Sequence, residues 1–326
     1  RKAMELDPAF PDAYNNLANV LVEHEAYEEA VQHAERALEL RPDYFEALAN
    51  LGNALHGLHQ NTRAAGYFRK ALNLNPEHAG LLKNLGDTLQ EMGFVAEAVE
   101  CYRKAARLDP DLEEAHNNLV FCMNYLDSAD AGELLQVHRQ WAADNATLRE
   151  QDGLVDRVAE TGRVLKIGYL SPDFRVHSVA FFLDPLLKWH DRKHYDVYCY
   201  GDIEQSDRLT EYFQSVSGYW RDCWGRSDDE VFQWIQDDGI DILVDLAGFT
   251  GNNRMKLFLR RAAPVQVTWL GYPNTTGLPT MDYRVTDAWA DPEGETERYH
   301  SEELVRLPGG FLCYRAPDGV VAASSL

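Results

Sequence analysis

Positive charge is what this chain lacks most. It sets 31 lysines and arginines against 53 aspartates and glutamates over 326 residues, a formal net charge of −22. A surface of that sign repels phosphate backbones and anionic headgroups, so neither nucleic acid nor membrane is expected as a partner. Cysteine is sparse too. The five thiols (Cys101, Cys122, Cys199, Cys223 and Cys313) show neither the close pairs of a zinc site nor the density of a disulfide framework, which points to a reduced, cytoplasmic protein. No run approaches the ~20 apolar residues of a membrane span, and the opening RKAMELDPAF has no signal-peptide core. GxGxxG, P-loop, GxSxG and HExxH patterns are all missing. The single Asp-x-Asp, Asp109-Pro110-Asp111, falls at a repeat junction and reads as helix punctuation, so no metal is expected.

What is present is first of all a repeat. Pro8, Pro42, Pro76 and Pro110 are 34 residues apart, and Asn16, Asn50, Asn84 and Asn118 keep the same interval. Small residues recur where paired helices must approach closely: Ala18, Gly52 and Gly86, then Ala30, Ala64 and Ala98, then Ala37, Ala71 and Ala105. These are tetratricopeptide (TPR) positions, and residues 1–125 are expected to form an α-helical solenoid of three repeats and part of a fourth. Residues 1–6 read as the end of a second helix, so further repeats are expected upstream. Asn is a mediocre helix former, yet it recurs in every first helix, with Asn19, Asn53 and Asp87 three residues on along the same face. Such a ladder of carboxamides can hold an extended polypeptide by its backbone, or it can serve helix-to-helix hydrogen bonds.

Residues 126–163 read as a linker followed by a docking helix, with Leu134, Leu135, His138, Trp141 and Ala142 on its apolar side and His138 as a packed rather than ligating histidine. From residue 164 to 326 the period changes. Strands are expected at 164–170, 195–201, 219–223, 240–246, 265–270 and near 282–286, with helices at 179–190, 207–217, 228–237 and 254–262. That alternation predicts a parallel, Rossmann-like α/β domain. Three polar, glycine-bearing loops, 171–178, 247–253 and 271–277, then fall at the carboxyl ends of strands, where open α/β sheets bind ligands. In the first of them Asp173 and His177 lie four residues apart, suited to proton transfer, although a helix cap would use the same residue types. Gly248, Gly251, Gly271 and Gly277 are expected to let backbone approach a ligand, and Thr250, Asn252, Asn274 and Thr275 to offer neutral hydrogen bonds.

An Asn-laddered TPR array followed by SPDFRVHSVAFFL, DGIDILVDLAGFTGNNR, APVQVTWLGYPNTTG and MDYRVTD resembles the O-linked N-acetylglucosamine transferase family over nearly the whole chain. The resemblance implies the first lobe of a two-lobed GT-B glycosyltransferase, inverting and metal-independent, with no cofactor beyond its substrate UDP-GlcNAc. It would move N-acetylglucosamine to Ser or Thr of acceptor polypeptides gripped by the TPR ladder. Transferred residue by residue, it makes His177 and Asp173 the catalytic pair. Leu270, Gly271, Tyr272, Pro273 and Thr275 become donor contacts, and Asn16, Asn50, Asn84 and Asn118 the peptide ladder. Whether His177, Asp173 or a donor phosphate takes the proton stays open. Val176 and Ser178-Val179 depart from the family pattern, and the second lobe that would hold the nucleotide is not seen before Leu326, so this chain alone is expected to be inactive. A related transferase with fucose or glucose as donor sugar, and a non-catalytic TPR scaffold, are the alternatives.

Overall fold

A computed structural model describes residues 2–126, 130–146 and 162–314. Residues 127–129 and 147–161 of the expected linker, and residues 315–326, lie outside the described residues. The chain divides into two compact units, residues 1–129 and 130–326. Among the described residues no helix is long and apolar enough to cross a membrane.

The first unit consists of helices α1 (Lys2–Leu6), α2 (Pro11–Glu23), α3 (Tyr27–Leu40), α4 (Phe45–Gly57), α5 (Asn61–Leu74), α6 (Ala79–Glu91), α7 (Val95–Leu108) and α8 (Glu113–Met123). Their antiparallel pairing follows from the small residues: Ala30, Ala37, Ala64, Ala71, Ala98 and Ala105 are all fully buried. Gly52 of α4 and Gly86 of α6 lie beneath the rings of Phe68 and Tyr102, where an added Cβ would come within 2.4 and 2.6 Å of the ring. Glu25, His59 and Gly93 each follow a first helix in the left-handed region, with φ of 57°, 57° and 81°. That turn is a helix C-terminal stop, and the glycine-bearing copy meets it without a Cβ penalty.

The second unit opens with α9 (Ala131–Asn145), whose Asp130 side chain accepts a hydrogen bond from Gly132 N. Strands β1 (Leu165–Ser171), β2 (Tyr195–Gly201), β3 (Tyr219–Asp222), β4 (Ile242–Asp245), β5 (Val265–Thr268), β6 (Tyr283–Thr286) and β7 (Glu303–Arg306) follow. Between them run α10 (Ser178–Trp189), α11 (Arg208–Val216), α12 (Asp228–Asp238) and α13 (Met255–Leu259). The seven strands form one parallel sheet in the order β3-β2-β1-β4-β5-β6-β7. Helix starts are chemically marked. Ser227 with Glu230 and Asp207 with Thr210 each complete a capping box, satisfying amides that a helix leaves open at its first turn.

Leu183 and Leu187 of α10 pack with Val197 and Cys199 of β2, Ile167 of β1 and Val244 of β4, each burial contributing about 1.5–3 kcal/mol for the aliphatic side chains. The chain runs outward from β1 to β3 and then crosses to β4 on the other side of β1. The sheet's topological switch point therefore lies between β1 and β4, and the loops after these strands flank it. The seventh strand was not among those expected from the sequence.

Candidate active site

The turn after β1 is built around Phe174. Its ring is fully buried and meets Phe213 and Trp220 edge-on, with centroids 5.7 and 5.4 Å away. This anchor places Asp173 on one side and the Arg175-Val176-His177 stretch on the other. The backbone is tied down by short polar contacts. Asp173 N donates to Ser171 Oγ at 2.9 Å, and Val176 N donates to Asp207 Oδ2 at 2.6 Å. Burial works against the Asp207 carboxylate, but the amides of Val176, Thr210 and Leu209 hold its pKa below the ordinary value. Asp207 thus caps α11 and pins the turn.

The structure brings Asp173 and His177 together. His177 Nδ1 lies 3.5 Å from Asp173 Oδ1 and 3.4 Å from Val179 N, the amide it caps at the start of α10. One nitrogen cannot accept from Val179 and donate to Asp173 at once. The neutral ring therefore has two tautomers: with the proton on Nδ1 it faces Asp173 and leaves Nε2 as a free base, and with the proton on Nε2 it caps the helix. Asp173 is buried, which raises its pKa above the ordinary carboxylate value, while His177 and then Arg175, whose guanidinium lies 3.7 Å away, pull it back down. The His177 side chain remains 38% exposed.

The loop after β4 is organised by Asp245, a buried carboxylate that accepts from Ala247 N at 3.0 Å, Gly248 N at 2.9 Å and Thr268 Oγ1 at 2.8 Å. Burial raises its pKa, with these donors opposing. Against this loop lies the one after β5. A Cβ added at three of these loop glycines would meet protein, Gly248 against Tyr272, Gly271 against Leu246 and Ala247, and Gly277 against His138 of α9, while the space at Gly251 is open.

The five residues expected to meet the donor are placed unequally. Leu270 is half-buried and has a φ of 82°, outside the ordinary range for a leucine. Pro273 is exposed, whereas the Tyr272 ring is buried beside Phe249 and His138. Thr275 is fully buried, and its Oγ1 donates to Glu302 Oε2 at 2.7 Å. Beneath the same loop, Arg284 Nη1 donates to the carbonyls of Tyr272 at 3.1 Å and Asn274 at 2.8 Å. Sequence reasoning missed Asp207, Asp245, Arg284 and Glu302. The Asx-type spacing of Asp245 and Gly248 and the capping box at Asp207 were readable signals, whereas Arg284 and Glu302 had none.

The asparagine rows belong to the first unit. Asn50 Nδ2 donates to Asn15 Oδ1, Asn84 Nδ2 to Asn53 Oδ1 and Asn118 Nδ2 to Asp87 Oδ1, each at 2.9 Å, so these amides lace each first helix to the preceding one. Asn16 is exposed, and Asn15 takes the buried position beside Asn50. The lacing uses one donor of each carboxamide.

Comparison with known proteins gives consistent results. Residues 146–315 match the model of glycosyl transferase family 41, and tetratricopeptide repeat models match residues 1–32, 18–58, 45–78 and 79–112. A probable UDP-N-acetylglucosamine–peptide N-acetylglucosaminyltransferase SPINDLY of Petunia hybrida is 42% identical over 208 residues, 63% of this chain and 22% of the relative. The corresponding Caenorhabditis elegans transferase is 33% identical over 159 residues, 47% of this chain and 13% of its own. A solved structure of a Thermobaculum terrenum O-GlcNAc transferase mutant superposes with a TM-score of 0.77 at 35% identity, covering 96% of this chain and 60% of that one. The chain thus spans about a fifth of the Petunia relative's length.

Proposed function

The chain belongs to glycosyl transferase family 41, and from that premise we propose that the native protein transfers N-acetylglucosamine from UDP-N-acetylglucosamine to serine or threonine hydroxyls of polypeptides. The observation that carries this reading is the Asp173–His177 pair, on a rigidly anchored turn beside the switch point of a parallel sheet. The acceptor oxygen attacks the anomeric carbon as the bond to the diphosphate breaks, with its electron pair leaving on UDP. The hydroxyl proton must go to a base. Exposure separates the two candidates: His177 is open enough to meet a hydroxyl, whereas Asp173 is buried. We assign Nε2 of His177 as the base and Asp173 as the group that orients Nδ1–H and stabilises the imidazolium. Leu270 to Asn274 then receive the donor sugar, and the asparagine rows of the first unit receive the acceptor backbone through donors and acceptors that the lacing does not use.

The test is turnover of the native protein with UDP-N-acetylglucosamine and an acceptor peptide, UDP-glucose and GDP-fucose being run alongside and the product read by mass spectrometry. Added N-acetylhexosamine is expected, and His177→Ala and Asp173→Asn should each lower turnover by about two orders of magnitude. Transfer of another sugar in its place refutes the donor assignment, and undiminished turnover in both variants removes the turn from the chemistry.

A further inference from the structure

Glu302, just ahead of β7, is buried and carries a carboxylate met by four donors. Thr276 N lies 2.6 Å from Oε1, and Thr276 Oγ1 bonds the same oxygen. Thr275 Oγ1 lies 2.7 Å and Ser301 N 3.2 Å from Oε2. The arrangement demands an acceptor-only group. Thr275 Oγ1 already accepts from Gly277 N at 3.2 Å and Ser301 N at 3.1 Å, so its proton must point away from those amides, and Glu302 receives it. Thr276 Oγ1 in turn accepts from Leu278 N at 3.3 Å. From the other side, buried Arg284 of β6 takes the carbonyls of Tyr272 and Asn274. Between β5 and these clamps sits Leu270 at φ 82°, a conformation that a leucine keeps only where its surroundings over-determine the backbone.

We propose that Glu302, acting with Arg284, is a positioning residue for glycosyl transfer: it holds the loop of residues 270–277 in one strained conformation, ready to receive the donor sugar. The inference rests on the reading of that loop as the donor contact. In this arrangement Thr275 acts through Glu302 and never touches the sugar. A glutamine at 302 cannot substitute, because one of its two polar atoms is a donor and would face Ser301 N or Thr276 N, which are donors themselves.

The experiment uses the native protein with UDP-N-acetylglucosamine as probe and compares wild type, Glu302→Gln, Thr275→Val and Thr275→Ser. Donor KM and kcat are measured, together with amide hydrogen exchange. Glu302→Gln and Thr275→Val should speed exchange at Thr276, Gly277 and Leu278 while leaving Ala247 and Gly248, which Asp245 holds, unchanged. Both should raise the donor KM about tenfold, the scale of one or two lost hydrogen bonds to a charge, whereas Thr275→Ser should behave as wild type. Thr275→Val is isosteric and decides the matter if Glu302→Gln does not fold. A wild-type donor KM in a variant whose loop amides have become labile overturns the inference, as does unaltered exchange in Thr275→Val. A wild type that transfers no sugar from any nucleotide donor is a different outcome: it overturns the functional reading on which the inference rests.

Discussion

Acidification should loosen the second unit through one histidine. His138 is fully buried on α9, its Nδ1 lies 2.7 Å from Leu134 O, and its ring meets Phe249 edge-on at 4.9 Å. Burial penalises the imidazolium and lowers its pKa from 6.5 to about 4, with the Leu134 carbonyl and the Glu302 charge opposing. In the unfolded chain the ring protonates near its ordinary value, so the folded state binds fewer protons between these limits. Stability from the neutral ring is therefore complete above pH 6.5 and falls as pH drops towards 4. At pH 5 the loss is about 2 kcal/mol, which corresponds to about 1 M in a urea midpoint for a unit of this size. The assay has a built-in selectivity, because all seven tryptophans lie between Trp141 and Trp289 and report the second unit alone. His138→Phe keeps a ring against Phe249 and removes the titration. Wild type should lose about 2 kcal/mol more than this variant between pH 7 and pH 5. Parallel pH dependences in the two proteins would refute the reasoning.

Two further predictions concern other contacts. Changing Asn50 and Asn84 together to Ala removes two lacing bonds, so the thermal midpoint of the first unit, followed by helical circular dichroism, should fall by the equivalent of about 0.5–1.5 kcal/mol per bond, and polypeptide affinity should fall with it. A lower midpoint with unaltered affinity would reduce the asparagine rows to structure. Gly277→Ala would bring a Cβ within 2.4 Å of His138 Cβ at a φ of 71°, and should cost about 1–3 kcal/mol in the tryptophan-reported urea transition. An unchanged midpoint would mean that the loop and α9 yield freely.

The repeat was legible because helical pairing is local: a small residue such as Gly52 announces an aromatic neighbour one helix on. The strands from β1 to β6 were legible because short apolar runs alternate with amphipathic helices. Strand β7 was not, because Glu303, Leu304, Val305 and Arg306 form a four-residue edge strand with no apolar run to mark it. The turn after β1 could be read as an acid and an imidazole four apart, but the role of Phe174 as its anchor needed Phe213 and Trp220 from later elements. The partner of Thr275 was hidden for a related reason. A threonine in a polar loop looks ready to meet a ligand, and only the return of the chain at Glu302 shows where its hydroxyl points.

The order of the sheet imposes a timetable on synthesis. Each helix of the first unit finds its partner among the residues just made, so that unit can form as it leaves the ribosome. Strand β1 is slower to settle. It pairs on one side with β2 but waits for β4 on the other, and β4 arrives only after β3 and α12 have been made. Until then its second edge and the apolar residues that will be covered from that side stand open. Nascent chains of this protein paused between α12 and β4 should therefore be the ones most prone to capture by chaperones or to aggregation.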